Sequence, residues 1–167
     1  MNRTTAALGS LVFLVIAPGF VVGVVPWWLC AWQVGPPLLG FTPLRFLGVL
    51  VLALGVAGLL DSFAQFVGGL GTPAPIAPPS RLVVTGLYRY VRNPMYVSLV
   101  LAIAGQGLLF GSGPVLEYAA FVWLATHLFV LSYEEPHLQA TFGAQYDAFK
   151  AHVPRWIPRL RPWQPGE

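Results

Sequence analysis

Between Arg3 and Arg45 the chain carries no charged side chain, and between Arg92 and Glu117 it carries none again. Each interval is longer than the roughly 20 residues that take a helix across a hydrocarbon core. Of the 167 residues 56% are hydrophobic and 9% charged, and the mean hydropathy is +0.70. A domain in water needs more polar surface than that, so the expected class is an all-α integral membrane protein.

The apolar runs place about four transmembrane helices, near residues 6–29, 44–70, 95–110 and 115–133. The first run continues past Pro18 without a small-residue cleavage site, which reads as a retained helix rather than a secretory signal. No lipidation signal is read at the C-terminus. With four spans, Arg3, Arg81, Arg89, Arg92, Lys150, Arg155, Arg159 and Arg161 fall on one side and Arg45 alone on the other. By the positive-inside rule both termini and the loop 71–94 are cytoplasmic. Trp27, Trp28 and Trp32 then mark an aromatic belt at the outer interface, and Gly111 to Pro114 is a tight turn that makes an antiparallel hairpin of the last two spans.

The cytoplasmic loop is of another kind. Pro73, Pro75, Pro78 and Pro79 hold the backbone extended and remove amide donors, giving a stiff strap that leads to Ser80-Arg81-Leu82-Val83. Beyond the fourth span, Leu138, Phe142, Tyr146, Phe149 and Val153 recur at helical spacing with polar residues between them. They predict a C-terminal amphipathic helix lying on the membrane or on the cytoplasmic loop, ended by Pro154 and Pro158. Arg155, Trp156, Arg159, Arg161 and Trp163 follow as an interfacial anchor for lipid headgroups.

Polar residues concentrate at one membrane face. Asn93-Pro94 reads as an N-cap and N1 pair, the Asn93 amide oxygen accepting a first-turn N–H, with the third helix starting at residue 94. Its positive end suits an anionic group such as a carboxylate. Tyr88, Arg92 and Tyr96 border the same helix mouth, where arginine can hold a carboxylate and tyrosine can pack an adenine ring or face a cation. Glu134 and Glu135 close the fourth helix on that side, against its dipole, so they call for Arg92 or a bound cation as partner. Carboxylate capture, aromatic packing and acids for a cation together match S-adenosylmethionine, one ligand among several that would satisfy them.

Gly86-Leu87-Tyr88, Arg92-Asn93-Pro94-Met95-Tyr96, Glu134-Glu135, Phe142-Gly143, Tyr146 and Val153-Pro154 resemble, in this order and spacing, the isoprenylcysteine carboxyl methyltransferase family and its small bacterial, phospholipid methyltransferase-like relatives. The resemblance covers residues 71–158 within a single domain, 1–167, whose residues 1–70 form two further membrane helices. It implies a methyltransferase of a bacterial plasma membrane using S-adenosylmethionine. The cofactor is then held by the residues matching Ser80, Arg81, Leu82, Val83, Tyr88, Asn93, Pro94, Met95, Tyr96, Glu134 and Glu135, with Arg92 and Glu135 nearest the chemistry. Asn93 and Ser80 stand where the family commonly has histidine. Asparagine can cap but cannot titrate near neutrality, so a prenylated-protein substrate is not implied.

The expected substrate is a membrane lipid or amphipathic small molecule with a carboxyl, thiol or amine head, entering from the bilayer; no nucleic-acid partner and no metal are expected. A sterol-reductase-like enzyme using NADPH and a non-catalytic membrane scaffold are the alternatives. His127, two turns before Glu134, reads as a packing residue before a proton acceptor. Asp61, inside the second span, reads equally as a ligand contact or a structural hydrogen bond.

Overall fold

The computed structural model of the chain describes residues 16–68 and 82–164. The described residues contain helices and connecting turns with no strand. Four helices form the bundle: α1, Ile16–Cys30; α2, Pro43–Gly68; α3, Pro94–Phe110; and α4, Gly113–Phe142. A fifth helix, α5, Ala144–His152, lies outside it. Two helices, Pro43–Gln65 and Gly113–Phe142, are long and apolar enough to cross a membrane, while α1 and α3 are shorter apolar helices.

α2 and α3 form the tightest pair, because small residues face each other along both helices. A Cβ added at Gly55 would stand 2.8 Å from the Ala102 Cα and the Ser98 carbonyl oxygen, and one at Gly48 would stand 2.6 Å from the Leu109 nitrogen. Close backbone approach of this kind replaces the hydrophobic drive that is missing between helices in lipid. Around the contact, Leu59, Leu99, Ala102, Ile103, Val115, Ala119 and Val122 make the buried core. α1 is tied in by Gln106, whose side-chain amide donates to the Val22 carbonyl at 2.7 Å and accepts from the Trp32 indole at 3.0 Å. Trp27, Trp28 and Trp32 remain exposed, as an interfacial belt requires.

The α3–α4 turn is as short as expected. Gly111 ends α3 with φ 71°, and a side chain there would run into the Pro36 carbonyl, so glycine alone fits. The Gly35 N–H donates to the Phe110 carbonyl at 3.0 Å and the Arg45 guanidinium donates to the Gly35 carbonyl, closing this end of the bundle.

Two expectations change. The fourth helix does not end at Tyr133: it passes through a π turn, Val130–Glu134, and continues through Glu135–Phe142. Pro136 is the reason. It lacks an N–H, and its ring would press on the carbonyl four residues back; widening the turn before it relieves the clash. The π turn Gly19–Val24 stands before Pro26 in the same way. Secondly, the amphipathic stretch is not one helix, because Gly143 at φ 50° breaks it between α4 and α5. Its apolar side does not face lipid. Tyr146, Phe149, Val153 and Trp163 form a buried cluster capped by Leu82, Val84, Leu138 and Phe142, so the segment packs on the end of the loop that precedes α3.

Candidate active site

The polar residues converge where α3 begins and α4 leaves the apolar bundle. At about 1.5 Å per residue, the stretch of α4 from Gly113 to the acid pair is itself long enough to cross a hydrocarbon core. The path between Tyr88 and Arg92 is not continuous helix: a 3-10 turn, Gly86–Arg89, is followed by non-helical residues up to Asn93. The cluster is built across elements instead.

Glu135 is its centre. The Arg155 guanidinium grips it with two hydrogen bonds, from Nε to Oε1 at 2.7 Å and from Nη2 to Oε2 at 3.0 Å. Arg92 Nη1 lies 3.1 Å from Glu135 Oε1, the side chains being 9% and 15% exposed. Arg92 also donates to the Tyr146 hydroxyl at 3.4 Å. The hydrogen bond and charge of Glu135 strengthen the proton's hold on the Arg155 guanidinium, and burial, with the Glu135 charge adding, raises the Tyr146 hydroxyl above the ordinary tyrosine range. The neighbouring Glu134 accepts from the Tyr96 hydroxyl at 2.9 Å. Tyr88, buried, has the Ser62 hydroxyl as a partner; burial first, then the Glu134 charge, pushes its hydroxyl far up.

Arg92, Glu135, Tyr96, Glu134 and Tyr88 are therefore neighbours, as expected. The other expected residues are placed as follows. Pro94 opens α3 and is fully buried, and Met95 packs against the bundle core. Leu82 belongs to the cluster around Trp163, and Val83 is half-buried beside it in the chain. Ser80, Arg81 and the proline strap lie outside the described residues.

Asn93 is corrected. It holds the cap position without a side-chain cap bond; its amide nitrogen instead donates to the Arg155 carbonyl at 3.1 Å. Its main-chain carbonyl still accepts the Val97 N–H at 3.1 Å. The tail competes successfully for the side chain because Asn93 is buried, and an unmet amide there would be costly. The interfacial anchor is corrected for three of its five residues, Arg155, Trp156 and Trp163, while Arg161 stays exposed and Arg159 partly so. Arg155 is spent on Glu135, Trp163 is buried, and the Trp156 indole donates to His127 Nδ1 at 3.0 Å. His127, stacked on Trp123, is thus a packing residue. Asp61 makes the structural hydrogen bonds that were one of its two readings, accepting from the Leu87 N–H at 3.1 Å and the Gln65 amide at 3.0 Å.

Sequence reasoning missed Arg155 and Tyr146 as members of the cluster. The available signal was charge balance: two adjacent acids at a membrane face need more than one cation, and Arg92 is only one.

The donor set fits S-adenosylmethionine. Arg92 and Arg155 both lie on Glu135, and the buried Arg92 Nε has no hydrogen-bond partner among the described residues, which leaves a guanidinium donor free. That is a place for an anionic group, with Tyr88, Tyr96 and Glu134 beside it for an aromatic ring or a cation.

Long apolar helices around a buried cluster of guanidinium, carboxylate and tyrosine define an integral membrane protein with a polar cluster at the edge of the bundle. The phospholipid methyltransferase family model matches residues 44–145, and the chain belongs to that family. A phosphatidylethanolamine N-methyltransferase of Laccaria bicolor is 35% identical over 115 residues, covering 67% of this chain and 12% of that protein. One of Phaeosphaeria nodorum is 30% identical over 114 residues, again covering 12% of its length. A protein-S-isoprenylcysteine O-methyltransferase of Schizosaccharomyces pombe is 32% identical over 80 residues, 47% of this chain and 34% of that protein. The chain thus spans only a small part of the length of the curated relatives it matches.

Proposed function

We propose that this chain is an integral membrane methyltransferase that uses S-adenosylmethionine to methylate a lipid-like substrate at the cytoplasmic face. The observation that carries the reading is the Arg92–Glu135–Arg155 cluster beside Tyr96 and Glu134, lying mostly within the part of the chain that matches the family. When bound, the cofactor supplies a methyl group already activated on a sulfonium. Arg92, steadied by Glu135, would hold the cofactor's carboxylate; Glu134 and the tyrosines would face its cationic and aromatic parts. The remaining contribution of the protein is alignment and exclusion of water, which the lipid-side location favours.

The acceptor is an amphipathic molecule with an amine or carboxyl head, since relatives named for phosphatidylethanolamine and for isoprenylcysteine both match. The amine of an aminophospholipid is the leading choice, because the family match is to phospholipid methyltransferases. Calorimetry of the detergent-purified protein tests the cofactor. S-adenosylhomocysteine is expected to bind and NADPH is not; the reverse result would make the chain a reductase, and binding of neither a scaffold.

The membrane topology belongs to the same proposal: four spans, with both termini and the loop 71–94 in the cytoplasm. A thiol at Gly113, where an added side chain meets open space, is expected to react only from outside, and one at Ser80 only from the cytoplasm. Labelling of both from one side would rule out the four-span arrangement.

A further inference from the structure

The tail after α5 is fastened at both ends and in the middle. The Arg92 N–H donates to the Pro154 carbonyl, the Arg159 N–H to the Tyr90 carbonyl and the Trp163 N–H to the Arg89 carbonyl, each at 2.9 Å. Residues 154–163 therefore run back along residues 89–92 as a strap, and the Asn93 amide adds a fourth tie at the Arg155 carbonyl. With its backbone held this way, the strap cannot withdraw its apolar side chains. Yet Ile157 is 78% exposed and Leu160 98% exposed, with Arg161 exposed beside them.

Depth and charge both indicate what covers these residues. Trp156, next to Ile157, bonds to His127, which lies about 10 Å up α4 from Glu134, toward the bilayer centre. Trp123, Leu124 and Leu128 on that stretch of α4 are exposed. The strap thus leans against the lipid-facing side of α4. It carries Arg155, Arg159 and Arg161 and no acid; with Arg155 neutralised by Glu135, an excess of positive charge accompanies the two apolar side chains. Apolar groups at interfacial depth flanked by arginine fit an anionic leaflet.

We propose that the strap 154–163 docks on an anionic membrane surface and that, through Arg155, its seating sets the position of Glu135 in the ligand site. Ile157 and Leu160 enter the interface, Arg159 and Arg161 meet lipid phosphates, and Arg155 transmits the seating as a positioning residue. The coupling rests on the proposed cofactor site, and the membrane contact does not.

Reconstitution of the full chain separates the two. S-adenosylhomocysteine affinity is measured by calorimetry in discs of phosphatidylcholine alone and of phosphatidylcholine mixed with phosphatidylglycerol. Binding is expected to be about fivefold tighter in the anionic discs, the scale of one basic residue at such a surface. The Leu160→Ser/Arg161→Gln variant should bind equally in both, at the wild-type affinity for neutral discs. Independently, a polarity-sensitive dye on Leu160→Cys, in a Cys30→Ser background, should report apolar surroundings in anionic discs. Equal wild-type affinity in both discs, or a variant that keeps the full lipid dependence, overturns the coupling while the methyltransferase reading stands. A dye that reports water in anionic discs overturns the docking. No binding in either disc overturns the methyltransferase reading, and the coupling with it.

Discussion

Glu135→Gln is expected to lower stability in the absence of any ligand by about 3 kcal/mol, the scale for removing one partner of a largely buried ion pair. The carboxylate is shared by Arg92 and Arg155, and its loss leaves two guanidinium groups close together with no counter-charge. Glu134→Gln is the control. Its hydrogen bond comes from a neutral tyrosine and survives the change to an amide oxygen, so apo stability should hold while affinity for S-adenosylhomocysteine falls. Thermal unfolding in detergent reads the first quantity and calorimetry the second. An unchanged midpoint for Glu135→Gln would mean that the ion pair contributes nothing to the fold. In a cycle with Arg155→Gln the two losses should not add, because the second substitution removes a charge that the first left unpaired.

The second large effect lies at the other kind of contact, between backbones. Gly55→Leu has no space to occupy, since even a methyl group would press on the Ala102 main chain and the Ser98 carbonyl. Helices α2 and α3 would have to separate, at about 3 kcal/mol, the upper end of ordinary overpacking. Gly113→Ala, at a helix start with nothing nearby, is expected to leave the unfolding midpoint where it is. Equal tolerance at the two positions would mean that the α2–α3 approach is looser than described.

These two contacts also mark how far the sequence could be read. Apolar lengths and a charge-free turn at Gly111 to Pro114 were enough for the helical class, the hairpin of α3 and α4, and the start of α3 at Pro94. The neighbourhood of Arg92, Tyr96, Glu134 and Glu135 was legible because each is polar where the chain can hardly carry polarity. Helix ends were less so. A proline normally stops a helix, and nothing in residues 130–134 announces that the turn widens to let α4 continue past Pro136. Nor does local pattern reveal a partner twenty residues away: Arg155 looks like any surface arginine until the strap folds back beside Asn93.

The π turn in α4 has a geometric result beyond accommodating Pro136. It amounts to one extra residue in the helical winding, and each residue turns the helix by about 100°. Glu135, whose N–H bonds to the Val130 carbonyl, is the first residue on the far side of that offset. The part of α4 that faces lipid and the part that carries Glu135 are consequently out of phase, like two cylinders joined with a twist. Were the winding uniform, the azimuth that suits Leu124 and Leu128 in hydrocarbon would dictate where Glu135 points. The inserted residue frees the acid's direction from the lipid-facing pattern, so each half of the helix can be aimed at its own surroundings.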